Sequence, residues 1–175
     1  VSQMALISDG QSRVVSMALI HQNLYQNSDL TSIRFEVFLQ SLTTQITELY
    51  GMNRRAIALE LTGGDFFLDI DTAIPLGLIT NELITNSYKY AFAHQTKTTV
   101  DITLIQYEKG KYKLTYHDNG PGLKEVPDFN HATTLGINLI GGLAKQLSGK
   151  AEYVFEQGSK FVIYFKDYEL RKSEK

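Results

Sequence analysis

The sequence predicts an α/β domain of the α+β type. It would be a two-layer sandwich, with helices on one face of a mixed, mainly antiparallel sheet, plus an N-terminal helix. Three observations carry this. Segments with helical spacing alternate with strand-like segments, but without the regular strand–helix–strand units of a parallel sheet. Two strand pairs are joined by short turns, at Lys109-Gly110 and Gln157-Gly158, as in antiparallel hairpins. The 175 residues are 43% hydrophobic with mixed charges, enough for one domain with its own core.

In chain order, residues 1–26 read as helix interrupted at Asp9-Gly10. From Arg13, the apolar residues Val14, Met17, Ala18, Leu24 and Tyr25 keep one helical stripe, and Asn27-Ser28-Asp29 ends it. This helix fits poorly into the sandwich and is expected to project from it. Residues 35–50 form an amphipathic helix, with Phe35, Phe38, Leu39, Leu42, Ile46 and Leu49 on one side, closed by Gly51-Met52-Asn53. A short strand follows at 56–61, a turn at Gly63-Gly64 and a second short strand at 66–70. Asp71 or Thr72 is the expected cap of a long helix to Phe92. Residues 98–107 and 111–117 are strands. Residues 123–134 carry Pro127 and no period, so they read as a loop. Residues 135–147 are helical, with Gly149 as stop signal. The hairpin of 151–155 and 160–165 comes last, and the charged tail after Asp167 is expected to fray. The division is then 1–28 for the N-terminal helical segment, 29–168 for the main domain and 169–175 for the tail.

Composition excludes several classes. The net charge of −2 gives no global field for nucleic acid or an anionic membrane. The absence of cysteine removes disulfide frameworks and any Cys-based metal or nucleophile site. No apolar run approaches the ~20 residues of a membrane span, and no secretory signal is visible. The chain opens on Val1 rather than Met, which points to a segment of a longer protein.

Two segments carry chemistry: 81–90 (NELITNSYKY) and 118–122 (DNGPG). On a helix turning by about 100° per residue, Glu82, Asn86 and Lys89 fall within a ~60° sector, with Tyr90 at its edge and Thr80, Ile84, Ser87 and Ala91 roughly opposite. One face thus gathers a carboxylate, an amide, an ammonium and an aromatic ring. An Asn carbonyl with phosphate oxygens suits Mg²⁺, and Lys can neutralise phosphate. A solvated helix face is the competing reading. On the strand before Asp118, Tyr112, Leu114 and Tyr116 share one face by period two, and Asp118 falls on that face, toward the helices. A buried carboxylate needs a donor, and an adenine amino group is one candidate; a simple Asn119-Gly120 hairpin turn is the other reading. A third segment, Thr133 to Asn138, is a Gly-containing helix start whose free N–H groups suit phosphate, with the loop before it as a lid. Neither a P-loop nor a G-x-G-x-x-G pattern is present.

In this combination the chain resembles sensor histidine kinases, in the catalytic ATP-binding domain of the gyrase–chaperone–histidine kinase–MutL superfamily. Residues 81–90 resemble the N box, 118–122 the first glycine box, 135–139 the second, and Gly158-Ser159-Lys160-Phe161 the late Gly-Thr-x-Phe element. Residues 13–25 resemble the second helix of the dimerisation hairpin in a bacterial subfamily with a short ATP lid, and 71–79 its usual approach to the N box. The resemblance covers nearly the whole chain. It implies the Bergerat-type ATP-binding fold, ATP with Mg²⁺ as cofactors, and transfer of the γ-phosphoryl group to a histidine.

Residue by residue, it implies Asn86 as the Mg²⁺ ligand, Lys89 on phosphate and Tyr90 near the adenine or ribose. Asp118 would accept from the adenine amino group, and Gly120 and Gly122 would let the backbone approach the base. Gly136 and Ile137 would line the phosphates, Glu82 would activate or orient the acceptor histidine, and Ser159 would supply a water-mediated contact near the adenine.

The phosphoacceptor pattern, His-Arg-x-x-Asn-Asn-like on the first hairpin helix, has no match here, so the acceptor is expected outside this chain. His21 lies on the apolar stripe and reads as a packing or dimer contact. His117 faces away from Asp118 by alternation, and His94 and His131 fall in loops. The implied partners are the acceptor histidine of the same dimer, a response-regulator receiver domain and a second copy of the parent. Nucleic acid is not among them, and this segment makes no membrane contact. The implied location is cytoplasmic, with any membrane attachment left to the parent. Two alternatives stay open: an ATPase or anti-sigma-type serine kinase on the same fold, and a non-catalytic ATP-sensing module.

Overall fold

Period-two alternation builds the sheet layer. The computed structural model describes residues 14, 17, 18, 20–22, 32–49, 57–62, 66–91, 98–131 and 134–173. Its main sheet has five strands: β2 (Ile57–Thr62), β4 (Thr98–Glu108), β5 (Lys111–Asp118), β6 (Lys150–Phe155) and β7 (Ser159–Lys166), in the order β2-β4-β5-β7-β6. β2 runs parallel to β4, and every other neighbouring pair is antiparallel. A parallel pair needs a long crossover, and here the segment carrying α2 (Ile70–Asn86) supplies it. Val100, Ile102 and Leu104, then Tyr112, Leu114 and Tyr116, then Phe161, Ile163 and Phe165 point into one buried face. Each fully buried aliphatic side chain of this kind stabilises the fold by about 1.5–3 kcal/mol.

The helices cover that face. α1 (Phe35–Leu49) buries the predicted stripe of Phe35, Phe38, Leu39, Leu42 and Ile46. α2 packs against both α1 and α3 (Leu135–Gln146), and α3 rests on β6 and β7. The predicted sandwich, mixed and mainly antiparallel, is the observed architecture. A small antiparallel pair, β1 (Ile33–Arg34) with β3 (Phe67–Leu68), lies outside the main sheet. It shortens the strand expected at 66–70 and adds a partner too short to show a period.

Three expectations are corrected. The cap of α2 is Asp69, not Asp71 or Thr72. Its Oδ1 accepts the Thr72 backbone N–H at 2.9 Å and its Oδ2 the Thr72 hydroxyl at 2.7 Å.

The tail also differs: Tyr168–Ser173 forms a short helix, α4, started by Asp167, whose Oδ1 accepts the Leu170 N–H at 2.9 Å. α4 returns to the start of α2, where the largely buried Arg171 guanidinium donates to the Thr72 hydroxyl at 2.9 Å and lies 4.0 Å from Asp69. Arg171→Ala is therefore expected to cost about 1.5–3 kcal/mol, the scale of a hydrogen bond to a charged group. Thermal unfolding would read this as a lowered midpoint.

The third correction concerns the N-terminal helix. The sequence predicts that it projects; of its described residues, all helical, Val14, Met17 and Ala18 of the predicted stripe are exposed, as is His21, but Ile20 is buried in the core. Ile20 lies near Gly77 on α2, where a Cβ would lie 2.7 Å from the Phe38 ring, so its absence makes room for Phe38, and 3.5 Å from the Ile20 δ-methyl, an ordinary contact distance. Leu24, Tyr25, the ends at 27–29 and 51–53, the Gly63-Gly64 turn, Phe92 and His94 lie outside the described residues.

Candidate functional site

The helix α2 does not end as a regular α-helix. After Asn86 the chain widens into a π-helical turn, Ser87–Ala91. Two contacts accompany the widening. The Tyr88 hydroxyl donates to Thr47 Oγ1 of α1 at 2.9 Å, since the Thr47 hydrogen goes to the Thr43 carbonyl. Ala91 packs directly on Gly120, where any Cβ would overlap it. Glu82 and Asn86 keep their i, i+4 relation, but the π-turn shifts Lys89 and Tyr90 from the sector expected for a straight helix. Asn86 and Lys89 are half-buried, and Tyr90 is 69% exposed.

Asp118 ends β5 and faces the helix layer with Tyr116 and Leu114, 3% exposed. Its Oδ1 accepts the N–H groups of Gly120 at 2.9 Å and Ser159 at 3.3 Å. Its Oδ2 accepts the Ser87 hydroxyl at 2.5 Å. A carboxylate offers roughly four lone-pair positions. Three are filled by described residues, which leaves one on Oδ2. The Ser87 oxygen in turn lies 2.8 Å from the Tyr116 hydroxyl. With the Ser87 proton given to Asp118, Tyr116 is the donor in that contact. Burial first, and then the Asp118 charge, push the Tyr116 phenol well above its usual range and keep it protonated.

Glycines shape the rest of the site. Gly122 has φ of +80°, and a Cβ there would lie 2.5 Å from the Phe155 ring. The following amide, Leu123 N–H, donates to the Tyr153 hydroxyl at 2.8 Å. Gly158, at φ +150°, lies so close to the Asp118 carbonyl that a Cβ would overlap it. Gly158→Ala is expected to cost about 1–3 kcal/mol through overpacking, read in urea unfolding as a lower midpoint at unchanged slope.

Glu82 is 5% exposed and turned toward the first turn of α3. A Cβ on Gly136 would lie 2.6 Å from its Oε1. Thr134, at the cap position of α3, makes no side-chain cap bond. In the loop before α3 the Phe129 carbonyl sits against Gly141, and the Phe129 ring meets Phe161 edge-on at 6.5 Å.

The structure thus brings together Glu82 with Gly136, and Asp118 with Gly120 and Ser159. Ile137 is half-buried in the first turn of α3. His117 faces away from Asp118, as alternation predicts, its Nε2 2.9 Å from the Glu156 carbonyl. His131 is exposed, its Nδ1 3.0 Å from Asp128. Among the described residues no cluster of three or more His, Asp or Glu side chains could hold a metal. No helix among them is long and apolar enough to cross a membrane. A groove of about 520 Å³ between Pro127–Asn130, α3 and β6 contains none of the site residues. Sequence reasoning missed Ser87, Tyr116 and Gly158. The signal for Ser87 was a hydroxyl on the helix face it shares with Thr80, Ile84 and Ala91.

Comparison with known proteins places this geometry. Residues 71–169, more than half of the chain, match the family described as histidine kinase-, DNA gyrase B- and HSP90-like ATPase, and residues 2–50 match a histidine kinase family. A curated relative, blue-light-activated histidine kinase 2 of Erythrobacter litoralis, is 23% identical over 137 residues. That alignment covers 74% of this chain and 39% of the relative's length. Among solved structures, the histidine kinase domain of the Erythrobacter litoralis blue-light-activated kinase superposes with a TM-score of 0.73 at 21% identity, over 93% of this chain and 76% of that one. The Acinetobacter baumannii histidine kinase AdeS gives 0.61 at 18%, over 95% and 81%. These structural likenesses speak for the fold, and the family match extends through α2, Asp118 and α3. The chain belongs to the histidine kinase-, DNA gyrase B- and HSP90-like ATPase family.

Proposed function

We propose that this chain is the catalytic part of a sensor histidine kinase, which binds ATP with Mg²⁺ and passes the γ-phosphoryl group to a histidine imidazole. The observation that carries the reading is Asp118: a buried carboxylate that accepts from three donors among the described residues, which leave one lone pair of Oδ2 untaken. An adenine amino group suits that acceptor. Asn86 would hold Mg²⁺ through its amide oxygen, together with phosphate oxygens and water. Mg²⁺ supplies charge neutralisation on the phosphates. Lys89 contacts phosphate, the uncapped start of α3 at Gly136 and Ile137 offers N–H groups to it, and Tyr90 covers the base or ribose. Gly120 and Gly122 keep the backbone close to the base, and Ser159 holds a water beside it. Glu82 orients or activates the acceptor imidazole. Catalysis rests on positioning and charge neutralisation.

The acceptor histidine lies on a hairpin helix outside this sequence. Residues 1–28 belong to that hairpin, through which two copies of the parent pair, and 29–168 form the nucleotide-binding unit. The phosphoryl group then moves to an aspartate on a receiver domain, in the cytoplasm. The test is to incubate the chain with γ-labelled ATP·Mg²⁺ and an acceptor-helix peptide. Acid-labile, base-stable label on the peptide histidine is the expected result. Slow phosphate release without transfer to any histidine peptide would instead identify an ATPase, and no ATP binding at millimolar concentration would overturn the reading.

A further inference from the structure

Behind the reading carboxylate stands a chain of two hydroxyls that nothing in the proposed reaction uses. Tyr116 is 1% exposed and Ser87 2% exposed, so neither can reach solvent or substrate freely. The Tyr116 hydroxyl meets the Ser87 oxygen at 2.8 Å, and the Ser87 hydroxyl meets Asp118 Oδ2 at 2.5 Å. We propose that Tyr116, acting through Ser87, is a specificity-determining positioning residue that keeps Asp118 a one-site acceptor and so selects purines bearing a 6-amino group. The inference rests on the proposed seat of adenine at Asp118.

A helical serine hydroxyl has two ordinary outlets, a nearby acceptor or the backbone carbonyl four residues earlier, here that of Leu83. If Ser87 turned its hydrogen to that carbonyl, its oxygen would face Asp118 lone pair to lone pair. Tyr116 removes that option. Its phenol donates into the Ser87 oxygen from the sheet side, so the lowest-energy place for the Ser87 proton is Oδ2. The donors on Asp118 then come from three directions, Gly120 N–H, Ser159 N–H and Ser87 O–H. The remaining lone pair has one orientation, and no proton is available there to meet a carbonyl. A 6-amino group is accepted, and a 6-oxo group meets acceptor with acceptor, which costs the unpaired desolvation of both. The π-turn fixes the geometry, since Ser87 is its first residue and its backbone N–H is bound to the Ile84 and Leu83 carbonyls.

The probes are ATP, GTP and purine riboside triphosphate, which lacks the 6-amino group, each with Mg²⁺. Calorimetric titration of the folded wild-type chain and of Tyr116→Phe, Ser87→Ala and Ser87→Thr gives three dissociation constants per variant. Tyr116→Phe removes only the hydroxyl. It is expected to narrow the preference for ATP over the purine analogue by about 3- to 10-fold, the scale of one neutral hydrogen bond, with analogue affinity unchanged. The preference for ATP over GTP falls with it. Ser87→Ala has at least the same effect, Tyr116→Phe adds nothing in that background, and Ser87→Thr restores the wild-type ratio. Loss of affinity for ATP and analogue alike in Tyr116→Phe, or an unchanged ratio, overturns the inference while Asp118→Asn still lowers ATP affinity. If the wild-type chain itself shows no preference for ATP over the analogue, the adenine seat fails and the inference falls with it.

Discussion

Glu82→Gln is expected to slow phosphoryl transfer by about 100- to 10,000-fold, the usual range for loss of a positioned acid–base group. ATP affinity should change by no more than about threefold, because a group acting mainly in the transition state contributes little to ground-state binding. The carboxylate is almost fully buried, sits one helical turn before Asn86, and approaches the first turn of α3 at Gly136. Gln keeps the shape of the side chain in this tight contact, whereas Ala would leave a cavity and confuse packing with chemistry. Single-turnover transfer measured beside calorimetric ATP affinity separates the two effects. Equal losses in both would make Glu82 a structural residue.

Asp118→Ala is expected to weaken ATP binding by about 10- to 100-fold, which corresponds to about 1.5–3 kcal/mol for one charge-assisted hydrogen bond. The same substitution orphans the Gly120 and Ser159 N–H groups and the Ser87 hydroxyl, all in buried surroundings. Stability should therefore fall as well, and Asp118→Asn is the cleaner variant, since one amide oxygen still accepts from the backbone. Thermal unfolding of both, beside their ATP affinities, apportions folding and binding. Unchanged ATP affinity in a folded variant would remove Asp118 from the nucleotide site.

Period and spacing made the layers legible in the sequence. Tyr112, Leu114, Tyr116 and Asp118 alternate along β5 and all face inward, so the burial of the acid followed from counting by two. The stripe of α1 followed from counting by 3.6. What escaped did so for local reasons. Asp69 was hidden inside a stretch that reads as strand, and β1 and β3 are each two residues long. The π-turn has no sequence period of its own; it goes with contacts made far along the chain, Tyr88 on Thr47 and Ala91 on Gly120. That is why Lys89 and Tyr90 could not be placed by helical angle. Counting did set Ser87 opposite Glu82, but the meaning of a hydroxyl there depends on Tyr116 and Asp118 arriving from another strand. Gly158 reads as a hairpin turn residue, and only the approach of the Asp118 carbonyl shows its second role.

The most direct test of the account is a crystal structure of the chain with a non-hydrolysable ATP analogue and Mg²⁺. The predicted result is an adenine amino group at about 3 Å from Asp118 Oδ2, a hydrogen-bond distance, with the metal on the Asn86 amide oxygen. Nucleotide seated instead in the groove beside Lys145 and Lys150, with Asp118 untouched, would contradict it.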